Sequence, residues 1–260
     1  MRWVLVLSAF SIAIWVGCGG RESTGKNGQT NDRFAAKFRD LAEIATTRQI
    51  TDMQRDMEPF FTITGDRIYF RRIVTPRPDT TFRQPIDARA GQFTYDYVNN
   101  KLYLVEQTPA LFDSYAGFVP PESLPARLGE SPQAGYRTPY GLIYYTGGGA
   151  FNIYKALDDS IVQLTYGPQP SFFQAISPNR RYVAFNYGET FYRLVILDLA
   201  ANQFYSIPRS SVDVQLYELW PQFSPDSKYL VFVVSHDIFS AKKDEDNIPL
   251  GDIWLVEFKQ

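Results

Sequence analysis

His236 is the only imidazole in the chain, so any Ser–His–Asp triad would have to use it as the base. It stands in the connection VVSHDIFSAKKDEDNIPLGD, and no Gly-x-Ser-x-Gly elbow accompanies it, so it reads as a loop histidine. The acidic stretch KKDEDN offers oxygen ligands to calcium but lacks the Gly at place six and Glu at place twelve of a calcium loop. It reads as a solvated insertion. Asp158 and Asp159 form a carboxylate pair, yet neighbours in a turn face solvent. Glycoside hydrolysis needs two carboxylates about 5–10 Å apart, a condition that many acids here could meet and that spacing does not resolve. Gly147 to Gly149 follow the run LIYYT without the Gly-Lys-Ser/Thr ending of a phosphate loop, and predict a hairpin. One Cys and one His allow neither a disulfide nor a four-ligand zinc site within the chain. No cofactor and no metal are expected, and the chain reads as a non-enzyme.

The 260 residues carry 26 Lys and Arg against 28 Asp and Glu. A net charge of −2 excludes recruitment of nucleic acid by a global positive field. With 21% charged and 45% hydrophobic residues, the chain is also no disordered polyelectrolyte. Its 20 Phe, 17 Tyr and 4 Trp favour pleated, half-buried surfaces, hence β structure.

The elements that would position any site begin with a leader. Arg2 precedes the apolar run Trp3 to Val16, which as a helix covers about 21 Å, short of a ~30 Å hydrocarbon core. Residues 1–17 therefore predict a cleaved signal peptide, and the polar residues 18–31 a flexible tether. Cys18, preceded by Gly17 at the junction, resembles the bacterial lipoprotein signal. That resemblance implies acylation of Cys18, and Gly19 implies the periplasmic side of the outer membrane. Acyl chains contribute roughly 0.8 kcal/mol per buried CH₂, enough when several act together to hold a domain on a bilayer.

Phe34, Ala35, Phe38, Leu41, Ala42 and Ala45 recur at three- and four-residue spacing and predict an amphipathic helix over 32–57, capped by Asn31 or Asp32. From Pro59 the period changes. Runs such as RIYF, KLYLVE, LIYY, RYVAF, RLVILDL, YLVFVV and DIWLVEF, separated by Gly, Pro, Asn and Asp, predict an all-β domain over 58–260. Two segments align without a gap, QAISPNRRYVAF at 174–185 and PQFSPDSKYLVF at 221–232. PFFTITGDRIYF at 59–70 fits the same frame, with weaker fits at 94–104 and 136–145. Matched positions 61, 95, 136, 176 and 223 lie 34, 41, 40 and 47 residues apart, the length of a four-stranded blade. Ser-Pro-Asn/Asp explains itself as a turn, with proline presetting φ and the side chains bonding nearby backbone.

The pattern Phe223-Ser224-Pro225-Asp226, Leu230, Phe232, then Asp252-Ile253-Trp254-Leu255-Val256-Glu257 resembles the TolB-type, WD-repeat-like β-propeller repeat. Ile176, Ser177, Pro178, Asn179, Val183, Phe185, Leu194, Ile196 and Asp198 carry it a second time, with Arg180 and Ser227 where the repeat has Gly. The resemblance implies a β-propeller of about five blades that binds an envelope protein or a cell-wall component. A two-sheet sandwich is the alternative architecture. Blade geometry would gather Tyr187, Glu189, Tyr217, Glu218, His236 and Asp237 on one end as a binding face rich in aromatic and acidic groups. The competing functions are a propeller glycosidase or lyase, and an accessory subunit of an envelope membrane complex docked through the 32–57 helix.

Overall fold

A computed structural model describes residues 33–73, 90–113, 117–125, 131–147, 151–166, 169–188, 193–208, 216–236 and 250–259. All belong to the second of the two units into which the chain divides, Asp32–Gln260. The signal peptide, Cys18, the tether and the Asn31 or Asp32 cap lie outside the described residues.

Among the described residues there are eighteen strands in four sheets. The first in chain order is an antiparallel meander of β3 (Asp56–Phe61), β4 (Arg67–Ile73), β5 (Ala90–Asp96) and β6 (Lys101–Val105). Next come β7 (Phe118–Val119), β8 (Ser131–Thr138), β9 (Gly141–Gly147), β10 (Ile153–Leu157) and β11 (Ser160–Gln163). The third sheet is β12 (Ser171–Ile176), β13 (Tyr182–Tyr187), β14 (Arg193–Asp198) and β15 (Gln203–Ser206), extended by β1 (Arg39–Asp40), which runs parallel to β15. The fourth is β16 (Leu216–Phe223), β17 (Tyr229–His236) and β18 (Asp252–Phe258), closed on its outer edge by β2 (Ala45–Gln49).

Apolar faces stack these sheets in series. Ile143 and Ile153 of β9 and β10 meet Val183, Phe185, Val195 and Leu197 of the third sheet. The opposite face of that sheet, through Tyr182, Ala184, Leu194 and Ile196, meets Leu230, Phe232 and Val256. Val231, Val233, Ile253 and Leu255 then meet Phe61, Ile68 and Phe70 of the first sheet. There the series ends. Among the described residues no apolar cluster joins the sheet β3–β6 to the sheet β7–β11, whose outward Tyr144 and Tyr154 are covered by Val119 and Leu124 of its own β7 segment.

The sheets are thus open assemblies, not a closed ring of about five blades, and the propeller expectation is overturned. One cause is visible in the repeat. The segment 94–104, counted as a repeat through Tyr95, is the β5–β6 hairpin, the second half of the sheet begun by 59–70. Nor do four sheets make a two-layer sandwich.

The helix expected over 32–57 is also absent. Ala35–Lys37 and Leu41–Glu43 are single 3₁₀ turns flanking β1, and β2 follows. Phe34, Leu41 and Ala45 are buried as their spacing suggested, but Ala42 is exposed. Tertiary context overrides the helical period: open edges of two sheets offer backbone partners, and β-branched Thr46 and Thr47 suit a strand. The Asp40 carboxylate accepts from the Ala42 amide, a local turn bond in competition with helix.

The Ser-Pro-Asn/Asp turns form as their chemistry demands. Ser177 Oγ donates to Asn179 Oδ1 and accepts from the Tyr182 amide, while the Arg181 amide donates to Asn179. Ser224, Asp226, Lys228 and Tyr229 repeat each bond. Thr62 accepts from the Arg67 amide in the 59–70 copy. The fourth turn residue is left-handed in all three, at Gly65 (φ 74°), Arg180 (62°) and Ser227 (62°). These are the places where the repeat pattern has Gly.

Strands β3, β8, β12 and β16, one in each sheet, shift register, between Met57 and Phe60, Pro132 and Ala134, Phe173 and Ala175, and Leu219 and Gln222. Proline cannot donate to a ladder, and Glu58-Pro59 and Trp220-Pro221 fall inside two of these bulges, with Glu58 and Trp220 left-handed.

Gly251 meets the Asp56 backbone across the junction of the first and fourth sheets, through two reciprocal bonds of 2.9 Å. A Cβ there would lie 2.3 Å from the Val234 carbonyl oxygen. Gly251→Ala is expected to cost about 1–3 kcal/mol, as overpacking does, seen as a lower urea midpoint with an unchanged slope.

Candidate functional site

In each of the pairs β3–β4, β8–β9, β12–β13 and β16–β17 the later strand ends beside the start of the earlier. Arg72 pairs with Asp56, Gly147 with Ser131, Tyr187 with Ser171, and His236 with Leu216. The third strands β14 and β18 also begin at this end, opposite Tyr187 and Val234. The sequence-derived binding face falls here, but its described side chains point inward. Tyr187 is buried with its ring edge-on to Phe34 and Phe38, at 5.3 and 5.5 Å. Tyr217 is fully buried. Glu218 is buried as well; its Oε2 accepts from the Leu194 amide and its carbonyl accepts from Asn186 Nδ2. Glu218 ties β13 and β14 to β16, and none of the three lines an open surface. His236 closes β17. Glu189 and Asp237 lie outside the described residues, as does KKDEDN.

Asp158 and Asp159 occupy the β10–β11 turn, both exposed, with Asp158 left-handed at φ 51°. Gly147 ends β9, which pairs antiparallel with β10, and the Thr146 amide donates to the Asn152 carbonyl at 3.0 Å; Gly148 and Gly149 lie outside the described residues. Among the described residues no group of three His, Cys, Asp or Glu is disposed to hold a metal.

The densest ionisable cluster at this end is one that motif reading passed over. It lies where β2, β3, β4 and β18 meet. Asp56, fully buried, takes both carboxylate oxygens to one guanidinium, with Arg72 Nη2 at 2.9 Å from Oδ2 and Arg72 Nε bonded to Oδ1. Hydrogen bonding to Asp56 holds Arg72 above its ordinary value against the opposing effect of burial. One residue along, Arg71 Nη1 donates to Glu58 at 3.1 Å. Asp252, also buried, makes no ion pair among the described residues, though the Arg72 charge acts on it at longer range. Its Oδ1 accepts from the Gln54 amide at 2.8 Å, and its Oδ2 accepts from Gln49 Nε2 at 3.2 Å and from Gln54 Nε2. Burial raises the Asp252 carboxyl above the ordinary 3.8, the Gln54 bonds oppose this, and the charges of Asp56 and Asp52 add to it.

Two carboxyls side by side, one of them raised, resemble the arrangement of an acid–base pair. Here, though, every described oxygen of the pair is already engaged by Arg72, Gln49 or Gln54. The arrangement fastens chain segments together. Asp252 was legible only as the first residue of the DIWLVE strand, and nothing in the local sequence brings it to Asp56.

No family model matches the chain, and no curated protein matches it. Among solved structures it is similar to TolB from Acinetobacter baumannii, at 13% identity over 81% of this chain and 56% of that one, with a TM-score of 0.29. A putative TolB from Agrobacterium tumefaciens gives 18% identity over 82% of this chain and 94% of that one, at 0.32. An oligogalacturonate lyase from Vibrio parahaemolyticus gives 13% over 80% and 67%, at 0.29. The chain thus spans about half the length of the Acinetobacter protein. TM-scores of 0.29 to 0.32 do not establish a common fold. The TolB-type, WD-repeat-like identification fails on these values and on the open sheets, and with it the propeller binding module, glycosidase and lyase it implied.

Proposed function

We propose that the chain is a non-catalytic all-β binding module, held by an acylated Cys18 on the periplasmic side of the outer membrane, and that its partner is an envelope protein. The observation that carries this reading is a difference among sheet edges. The outer edges of the third and fourth sheets are capped from within, β15 by β1 and β18 by β2. Among the described residues no strand adds to β6 or β11. Both present apolar side chains to solvent, Leu102, Tyr103 and Leu104 on β6, and Ile161 and Val162 on β11. Leu104 is 70% exposed. Edge strands are ordinarily guarded by charge, proline or a bulge, because their free N–H and C=O groups invite another strand. Strand addition by a partner polypeptide suits such an edge better than a cell-wall glycan does, since backbone bonds supply affinity and alternate side chains specificity.

The non-catalytic half of the reading rests on the ion pairs acting structurally. Removing one partner of a buried pair strands the other, so Asp56→Asn should lower unfolding stability by about 3 kcal/mol. At a temperature where that variant stays folded, partner binding should persist. Turnover of any glycan or peptide that is abolished by one Asp or Glu change would overturn the non-catalytic reading.

Photo-cross-linkers placed at Leu104 and at Val162 in intact cells should each yield a discrete protein adduct. Leu102→Lys should reduce the adduct from the Leu104 cross-linker by about tenfold or more, as loss of an apolar anchor does, with the urea midpoint unchanged. Adducts from neither position would contradict the proposal. For the tether, Cys18→Ser should move the protein from the membrane pellet to the soluble fraction, and an unchanged pellet would exclude the anchor.

A further inference from the structure

Arg180 departs from the pattern of its own turn. It is left-handed at φ 62°, at the place where the other two copies of the turn carry Gly65 and Ser227. The turn is pinned there: the Arg180 amide donates to the Ser177 carbonyl at 2.8 Å, and the Asn179 amide donates to Ser227 Oγ at 2.9 Å. A long side chain is thus held in a strained conformation that glycine adopts without steric cost.

Its guanidinium reaches the second sheet. A Cβ on Gly117, itself left-handed at φ 77°, would lie 3.3 Å from Arg180 Nη2 and 3.4 Å from Cζ, so the glycine leaves the guanidinium its room. Nη1 is sealed from solvent and meets no acceptor among the described residues. It is the only nitrogen of this guanidinium that is both enclosed and without a partner. Burial holds Arg180 below its ordinary value, and the Tyr136 phenol opposes this; no described carboxylate acts on it.

Two other arginines show what such a fork takes in this chain. Arg72 gives Nε and Nη2 to Asp56, and Arg181 gives the same two nitrogens to Asp198. Asp198 is spent on Arg181 and on the amides of Ala200 and Ala201. The exposed Arg137, whose amide donates to the Gly117 carbonyl at 3.0 Å, adds a further cation at this end of the sheets.

We propose that the Nε–Nη2 edge of Arg180, framed by its turn and by Gly117, is a binding site for one carboxylate group of a ligand. Two parallel N–H donors in a plane match a carboxylate, and the bound group supplies the counter-charge that the described residues do not. A free organic acid and an acidic side chain of a polypeptide both carry that group.

Nuclear magnetic resonance on the full chain tests this, read at the Gly117 and Arg137 amides with ionic strength held constant by chloride. Sodium acetate should shift both signals saturably. Arg180→Lys keeps the charge but loses the fork, and should weaken the apparent affinity by about tenfold or more, as loss of a hydrogen bond to a charged group does. Arg180→Gly should abolish the response and raise the urea midpoint, because backbone strain and an unpaired cation are both removed. A capped Ala-Glu-Ala peptide that binds more tightly than acetate supports the site with a polypeptide as the source, and equal affinity supports it with a free acid. The absence of a saturable acetate shift would overturn the proposal, as would an equal response in Arg180→Lys or a preference for inorganic phosphate. A lowered midpoint in Arg180→Gly would make the guanidinium a structural strut and overturn it too.

Discussion

The structure depends on the burial of both faces of its middle strands. Every residue of β13 from Tyr182 to Tyr187 is buried, and β17 is buried from Leu230 through Val234. A sheet whose two sides are apolar must be covered twice, and for β13 a neighbouring sheet covers each side. Val183 and Phe185 are hidden by the sheet of β9 and β10, Tyr182 and Ala184 by the sheet of β17. The order of stacking follows, as does the place where it stops. The sheet of β9 and β10 needs no further neighbour, because the short β7 segment already covers Tyr144 and Tyr154.

What the residues revealed in advance was local. The turns at 177–182 and 224–229 and the strands around them could be read because proline, serine and asparagine or aspartate act within five residues of one another. The three left-handed positions were legible too, as places where a glycine belonged. The number and closure of the sheets were not. Tyr95 matched the repeat by type alone, and nothing within a few residues says whether an alternating run opens a sheet or ends one. Phe34, Leu41 and Ala45 were correctly marked as apolar anchors, but period cannot say whether anchors three and four apart ride on a helix or on two turns and a strand. That choice was made by the vacant edges of β15 and β18, which lie some 160 to 220 residues away in the chain.

The candidate site shows the same division. Tyr187, Tyr217 and Glu218 do collect at one end of the sheets, as strand order alone would place them. Their burial was invisible, because it comes from Phe34 and Phe38 above Tyr187 and from the Leu194 amide on Glu218. The Asp56–Arg72 pair joins adjacent strands in register, whereas Asp252 reaches Gln54 across 198 residues. Only the first is of the kind that reading along a hairpin can find.

The pairing of β2 with β18 has a consequence for how the molecule is made. Ala45 lies opposite Phe258 and Gln49 opposite Trp254, so β2 emerges during synthesis well before its partner. Loop closure over that distance is slow relative to the hairpins in between. Vectorial folding can complete the interior hairpins while β2 still waits for β18. The seam between β2 and β18 is therefore sewn last, after the hairpins it encloses have formed.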